Sequence, residues 1–522
     1  MSFWVDEIVD GILAKNNKDS YLITDWKTPS GHVHIGALRG VIVHGVVSEG
    51  LESKDKTTVF QYGFDDYDPM DGLPVYIDQD FKKYMGLPLC NVPAPDGVSE
   101  SYAKQYAQEF MNVIDKMSFK TKIVWTSELY KSGKFNQAIK IVLDNAQLIR
   151  QINKEISGSD KGDDWFPLNI VCPKCGKVGT TKVYGWDGEK VKFKCEKDLV
   201  DWAEGCEYEG EISPFDGNGK LPWKVEWPSK WSVFGSDIEG EGKDHAASSG
   251  SRQVADKIFR EVFKGQPPFD IPYEHILIGG AKMSSSKGLG VTAAQMAELL
   301  PANILKFLFT RTKYKRAIEF NPEGDTIPLL YDEYDRCAAD YLNPPAGGDT
   351  DMARAFFFTE TDLEKDLPQY YLRFSKIANF LQMPRIDILT YAKEEKTSDL
   401  TEVEKVEIEN RIEVAKKWLA DYAPESVKFT VQENLPEITK NLTETQKNYL
   451  HQLADVISKQ EKWTGEDLHK AIHDLKNETA IAPKDAFSAI YITILGKDSG
   501  PQAGWLLASL DHDFVVERLR EI

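Results

Sequence analysis

The stretch from Tyr21 to Tyr62 constrains the fold more than any other part of the chain. The apolar run "YLIT" enters the turn "TPSGHVHIGALRG" (residues 28–40). Ile35, Leu38, Ile42 and Val46 then recur at helical spacing, and the β-rich "TTVFQY" begins at Thr57. Strand, turn, helix and strand make a βαβ unit, whose parallel strands need a sheet with helices packed on it. Further strands are expected at "KIVW" (122–125), "WSVFG" (231–235) and "HILIGG" (275–280), with a helix over 249–264 between the last two. The alternation predicts an α/β fold with a mostly parallel, doubly wound sheet.

Between the halves of that sheet lies a turn-rich segment of different composition, which reads as an inserted module. It carries Cys172, Cys175, Cys195 and Cys206, spaced C-x2-C, 19 residues, then C-x10-C. Two thiolate pairs on a small β module suit a tetrahedral Zn2+, bound at about 2.3 Å per sulfur from two knuckles. Four thiolates leave no open position, so the ion is expected to be structural. A disulfide pair is the alternative, disfavoured in a reducing compartment, and the wide last spacing makes Cys206 the weakest of the four. Cys90 and Cys337 stand alone and are expected to be packed thiols. From about Leu330 the pattern turns helical, as in "TEVEKVEIENRIEVAKKWLADY" and "DAFSAIYITILG", with "NPPAGGDTD" (343–351) as a connector.

The 522 residues hold enough apolar mass for two to four packed units. No apolar run approaches the ~20 residues of a membrane helix, and the acidic, amphipathic start does not resemble a signal peptide. A cytoplasmic location without membrane association is expected. Lys and Arg number 63 against 83 Asp and Glu, a net charge of −20. That average repels polyanions at long range, so a nucleic-acid partner would have to meet local basic strips such as "KFLFTRTKYKRAIEF" (306–320).

A second motif gives the first its meaning. "GGAKMSSSKGLG" (279–290) follows a strand, and its glycines flank lysines and hydroxyls, as suits a mobile loop closing on phosphates. Together, Pro-Ser-Gly-x-x-His-Ile-Gly after the first strand and Lys-Met-Ser-Ser-Ser after a late one resemble the paired nucleotide signatures of class I aminoacyl-tRNA synthetases. The resemblance implies a Rossmann-like catalytic domain that binds ATP with Mg2+ through Pro29, Ser30, Gly31, Gly36, Asp244, Met283, Ser284, Ser285 and Ser286. It makes His34, Lys282 and Lys287 the catalytic residues that meet charge developing on the phosphates. Ala37 replaces the signature's second His and Ser285 its second Lys, for which Lys287 is a substitute. His32 falls at a variable position.

The wording "LPWKVEWPSKW", "GEGKDHA", "PYEHILIGGAKMSSSKG" and "ILGKDSGPQAGWLLASLDHDFVVERL" is similar to class I lysyl-tRNA synthetases across nearly the whole chain. This resemblance implies a lysine–tRNA ligase that forms lysyl-adenylate and passes lysine to tRNA(Lys). Glutamyl relatives place an Arg before the first signature to hold the substrate carboxylate, whereas this chain has Thr24 and Asp25. "GFDDYDPMDG" adds Asp65, Asp66 and Asp68 after the second strand, at the ligand edge of such a sheet. A buried ammonium needs a carboxylate partner: Asp66 is the first choice, with Asp25 behind it, and a solvated turn is the plain alternative. His245, Trp223 and Tyr273 are expected beside the lysine, the aromatics walling its aliphatic stem.

The expected organisation is a first catalytic half over 1–150, a zinc-binding acceptor-end module over 151–225 and a second catalytic half over 226–330. A connecting helical domain (331–395) and a helical anticodon-binding domain (396–522) follow. Some lysyl relatives carry another metal after the second strand; the matching positions here are Ala94, Val98, Ser99 and Gln105, so none is expected. Trp505 and Arg518 lie in the matching tail, where helix packing and solvated charge are the preferred readings over RNA contact. A monomer is the expected state. The rivals are a glutamyl-type synthetase, another amino-acid-activating ligase, and an RNA-binding regulator whose catalytic site has decayed.

Overall fold

The computed structural model describes residues 3–247, 250–278, 291–344, 350–360 and 366–522. It divides into two compact units, residues 1–320 with 337–362 and residues 321–336 with 363–522. Among the described residues no helix is long and apolar enough to cross a membrane.

The first unit is built on five strands, β1 (Ser20–Lys27), β2 (Thr57–Phe64), β3 (Thr121–Trp125), β4 (Ile238–Gly242) and β5 (Phe269–Tyr273). Their spatial order is β5-β4-β1-β2-β3 and every pairing is parallel. The order reverses between β1 and β4, the switch point at which such sheets open a crevice beyond the strand ends. There the ladder is a single registered pair, Ile23 with Ile238. Four helices matter for the crevice: α1 (Ile35–Glu52), α2 (Thr126–Lys131), α3 (Trp223–Phe234) and α4 (Ser251–Glu261). Helix α1 is apolar on nearly all sides and packs in the core, with Leu38, Val41, Ile42 and Val46 inaccessible.

Two strands differ from expectation. Residues 231–234, expected in a strand, form the last turn of α3, which Gly235 ends at φ +69°. Trp223, Trp227 and Trp231 recur every four residues, so helical stacking overrides the β-propensity of the four-residue run. The strand itself is the next segment, "IEGEG", whose alternate positions carry the buried acids Glu239 and Glu241. An apolar-periodicity reading passes over a strand whose side chains serve a polar crevice. The expected strand at 275–280 is Ile276–Ile278, paired with Ile318–Phe320 outside the main sheet; His275 precedes it, and 279 and 280 lie outside the described residues.

The inserted module enters and leaves side by side, because Asn169–Ile170 pairs with Gly219–Lys220. Between them Thr181–Trp186, Val191–Cys195 and Glu209–Ile212 make an antiparallel sheet. The second unit is helical: the helices expected at 401–422 and 485–496 appear as Glu402–Asp421 and Pro483–Leu495, with Glu444–Ile457 between them. Thr401 with Glu404, and Thr443 with Gln446, form capping boxes that satisfy the first free N–H groups of two of them. Arg518 is buried, and its guanidinium donates to the carbonyls of Gln432 and Glu433 at 2.9 and 2.6 Å. It is a packing residue. Trp505 is half-buried against Gly465, where an added Cβ would stand 2.5 Å from the indole.

Candidate active site

A crevice of about 610 Å³ opens at the carboxyl ends of β1, β4 and β5, beside the start of α1. Its phosphate end is the first signature. Gly31 takes φ +155°, and His34 is the residue before the first turn of α1, with extended backbone. An added Cβ on Gly36 would lie 2.7 Å from the His34 ring, so glycine there lets the imidazole lie over the helix start. Helix N-termini favour anions through unpaired N–H groups and the helix dipole. Ala37 lines the same wall. The other imidazole, on His32, is held by Glu109 at 2.6 Å and packs on Tyr76 and Tyr106.

Lys282, Met283, Ser284, Ser285, Ser286 and Lys287 lie outside the described residues. The chain just after them is anchored on the first signature: the Ile35 amide donates to the Val291 carbonyl at 3.1 Å, and the Ala293 amide to the Val33 carbonyl at 2.8 Å. The two signatures, some 250 residues apart in sequence, are thus hydrogen-bonded neighbours at their flanks.

Deeper in the crevice is an acidic slot. Asp25 faces the α1 side of the sheet, with Tyr62 beside it in register on β2. An added Cβ on Gly40 would lie 2.7 Å from both Asp25 Oδ2 and the Tyr273 hydroxyl, so glycine leaves these two groups their room. Burial pushes both phenols well above their ordinary pKa, so they remain hydrogen-bond donors. Asp25 is 8% exposed, and its Oδ1 accepts the Trp26 amide at 2.8 Å. The arrangement suits an apolar stem carrying a positive tip.

Asp66, the first choice for the ammonium, is not among the residues that line the crevice. Its carboxylate is inaccessible and accepts the Ser127 amide at 2.8 Å and hydroxyls of Thr126 and Ser127, at the start of α2. The helix start consumes its charge, as a capping carboxylate does. Its neighbours are also committed. Asp65 pairs with Lys230, Lys230 reaches Glu226 at 3.3 Å, and Lys220 joins Glu226 and Asp68 at 2.8 Å each. Burial disfavours the Glu226 charge, but the two lysines overcome it and bring its pKa to about 2. This buried chain ties the loop after β2 to α3 and to the exit strand of the module. Removing one member would strand a charge.

On the α3 side, Glu239 accepts the indole N–H of Trp227 and of Trp231, the second at 3.1 Å, and the Thr24 hydroxyl. Trp223 stacks on Trp227 at 5.4 Å and meets His245 at 5.0 Å, forming an aromatic wall. Asp244 pairs with His275 at 2.9 Å. Glu239, Tyr62 and Lys27 line the crevice without having been expected there. Lys27 is two residues beyond Asp25 on the same face of β1, roughly 7 Å along the strand. Burial lowers its pKa against the pull of Asp25 and Asp65, and no carboxylate among the described residues pairs with it within 4 Å. A lysine inside a strand-to-turn segment carries no sequence signal of this kind; only the neighbours reveal it.

In the inserted module the sulfurs of Cys172, Cys175, Cys195 and Cys206 lie within 4.8 Å of one another. Two of the separations are 3.6 and 3.7 Å. Thiolates at about 2.3 Å from one tetrahedral ion stand about 3.8 Å apart, whereas a disulfide would need about 2.05 Å. The Cys206 amide and the Thr180 hydroxyl approach Cys195 Sγ at 3.3 and 3.2 Å, the outer-shell donors that a metal thiolate attracts. The four residues fit Zn2+. Two of the five basic residues of the strip at 306–320 are paired internally: Lys306 is inaccessible and pairs with Glu49 at 2.9 Å, and Lys313 pairs with Glu7 at 2.6 Å.

The sequence profile described as "tRNA synthetases class I (K)" matches residues 2–359, and that of the anticodon binding domain matches 377–522. A lysine–tRNA ligase of Methanosarcina barkeri is 34% identical over 99% of this chain and 97% of its own. One from Methanocaldococcus jannaschii is 31% identical over 99% of each. A solved glutamate tRNA ligase from Elizabethkingia meningosepticum, in complex with its amino acid, aligns with 96% of this chain and 98% of its own at 12% identity, with a TM-score of 0.43.

Proposed function

The chain belongs to the class I tRNA synthetases of the (K) group, and from that membership we propose that it activates lysine with ATP and transfers it to tRNA(Lys). The observation that carries the lysine reading is the Asp25 slot: a buried carboxylate at the end of an aromatic cleft, with no arginine among the described residues that line it to receive an acidic side chain. Asp25 takes the side-chain ammonium, and Tyr62 and Tyr273 wall the stem. The substrate carboxylate then points outward, toward Lys27 and the start of α1. One carboxylate oxygen attacks the α-phosphorus of ATP, the bond to the bridging oxygen breaks, and pyrophosphate leaves.

His34 donates to the oxygen on which charge grows, and Lys282 and Lys287 are assigned to the departing pyrophosphate. ATP enters with its Mg2+, which is carried on the phosphates. In the second step a terminal ribose hydroxyl of the tRNA, by class analogy the 2′-OH, attacks the lysyl carbonyl and releases AMP. The protein supplies no nucleophile; it contributes position and charge stabilisation. Trp223 and His245 form the opposite wall, and Asp244 is assigned to the ribose side. The 377–522 domain reads unstacked anticodon bases.

Amino-acid-dependent exchange of pyrophosphate into ATP, with tRNA present, tests this reading across all amino acids. Exchange with lysine alone is the expected result. Exchange with glutamate alone, or none with any amino acid, overturns it.

The four cysteines are assigned one Zn2+ that folds the module. About one zinc per chain is expected by elemental analysis, lost in a Cys175→Ser, Cys195→Ser double variant. Structural zinc contributes about 10–16 kcal/mol to such sites. The variant should therefore become protease-sensitive within residues 172–212 while the parallel sheet stays resistant. Unchanged proteolysis would remove the structural role.

A further inference from the structure

His44 lies inside α1 with its side chain inaccessible, and its polar contacts come from three elements. The Gly240 amide of β4 donates to Nε2 at 2.8 Å. Nδ1 stands 2.8 Å from the Gly40 carbonyl of α1 and 3.4 Å from Asp25 Oδ2 on β1. A nitrogen that accepts an N–H carries no proton, so the ring's proton is on Nδ1, which donates to the Gly40 carbonyl and has Asp25 Oδ2 as its second neighbour at 3.4 Å. Burial opposes a charged ring, Asp25 and Glu239 favour one, and together they raise its pKa. The Gly240 amide decides for the neutral ring, because a protonated Nε2 would face that N–H at 2.8 Å. Phe60 and Tyr273 pack on the imidazole at 6.0 and 6.4 Å. A residue needed only to fill this space would be apolar; here both ring nitrogens are engaged.

We propose that His44 is a positioning residue for lysine recognition: it fixes the Asp25 carboxylate through Nδ1–H and ties α1 to β4 across the strand that carries Asp25. The proposal rests on the lysine-activating reading. One Asp25 oxygen accepts the Trp26 amide at 2.8 Å, and the other lies 3.4 Å from His44 Nδ1. A partner on each oxygen limits rotation of the carboxylate, which lines the crevice. Nothing in the spacing of "RGVIVHGVV" marks His44, which reads as one more position of a buried helix.

The test compares two amide variants in pyrophosphate exchange with tRNA present. His44→Asn sets an amide at the depth of Nδ1 and keeps the donor toward Asp25. His44→Gln carries its amide to the depth of Nε2 and leaves nothing beside Asp25. A hydrogen bond to a charged group predicts a lysine KM about tenfold higher for Gln than for Asn, with kcat and the ATP KM of the two within about twofold. Equal lysine KM values for the two variants, or lysine and ATP KM rising together, would overturn the proposal. Loss of folding in both variants, by circular dichroism, would also overturn it and make His44 a residue of the fold alone. Wild-type exchange with lysine is measured first and tests the reading itself, so a failure there is distinct from a failure of the His44 contrast.

Discussion

Asp25→Asn is expected to raise the lysine KM by roughly 30- to 1000-fold in pyrophosphate exchange while leaving the ATP KM near its wild-type value. Removing one partner of a buried charge pair costs about 2–4 kcal/mol, at 1.4 kcal/mol per tenfold. Asparagine keeps the shape, so Gly40 still has its room and His44 Nδ1–H still has an oxygen to meet. What is lost is the charge opposite the ammonium. The cost is large because the loop that sequence reasoning favoured offers no replacement: Asp65 and Asp68 are paired with lysines and Asp66 is bound to α2. A lysine KM within threefold of wild type would move the ammonium elsewhere, and Glu239, already accepting three hydrogen bonds, would be the next residue to replace.

His34→Ala is expected to lower kcat for exchange by about 10²- to 10³-fold, the value of one donor directed at charge that grows in the transition state. Ground-state binding should change little, so the two KM values should stay within a few-fold. The fold should survive, since the His34 backbone, not its ring, precedes the helix, and the ring makes no side-chain cap. Melting temperature and lysine KM separate this outcome from general damage. A near-normal kcat would remove His34 from the assigned role and leave the helix start and the lysines of the second signature to carry the phosphate chemistry. With Ala37 in place of a second imidazole, no other histidine of that signature is available to substitute.

The parts legible in the sequence share a physical character: each is fixed by local backbone demands or by chemistry at short spacing. Gly31 permits a positive φ and Gly36 a close approach of the His34 ring, C-x2-C makes a knuckle, and α1 follows its turn as an apolar run with Ile35, Leu38, Ile42 and Val46 at helical spacing. The strand "IEGEG" was hidden for the opposite reason. Its acids face a polar crevice, so neither alternation nor apolar mass marks it, whereas the neighbouring "WSVF" has the composition of a strand although its Trp231 continues the helical repeat of Trp223 and Trp227.

The sequence by itself determined the parallel sheet, the two signatures, the cysteine cluster and the helical tail, because these follow from periodicity and from residues whose conformation is set by near neighbours. The tertiary structure decided which of the acids are committed to lysines or to a helix start and which line the crevice. Asp65, Asp66 and Asp68 look alike as text. They differ because Lys230, 165 residues from Asp65, and the start of α2, 61 residues from Asp66, reach them in space. Electrostatic commitment is a property of the folded neighbourhood: a carboxylate's charge is spent or spare according to partners that the chain brings together only when the sheet closes. Asp25 is left facing the slot, with Gly40 making its room and His44 holding it there.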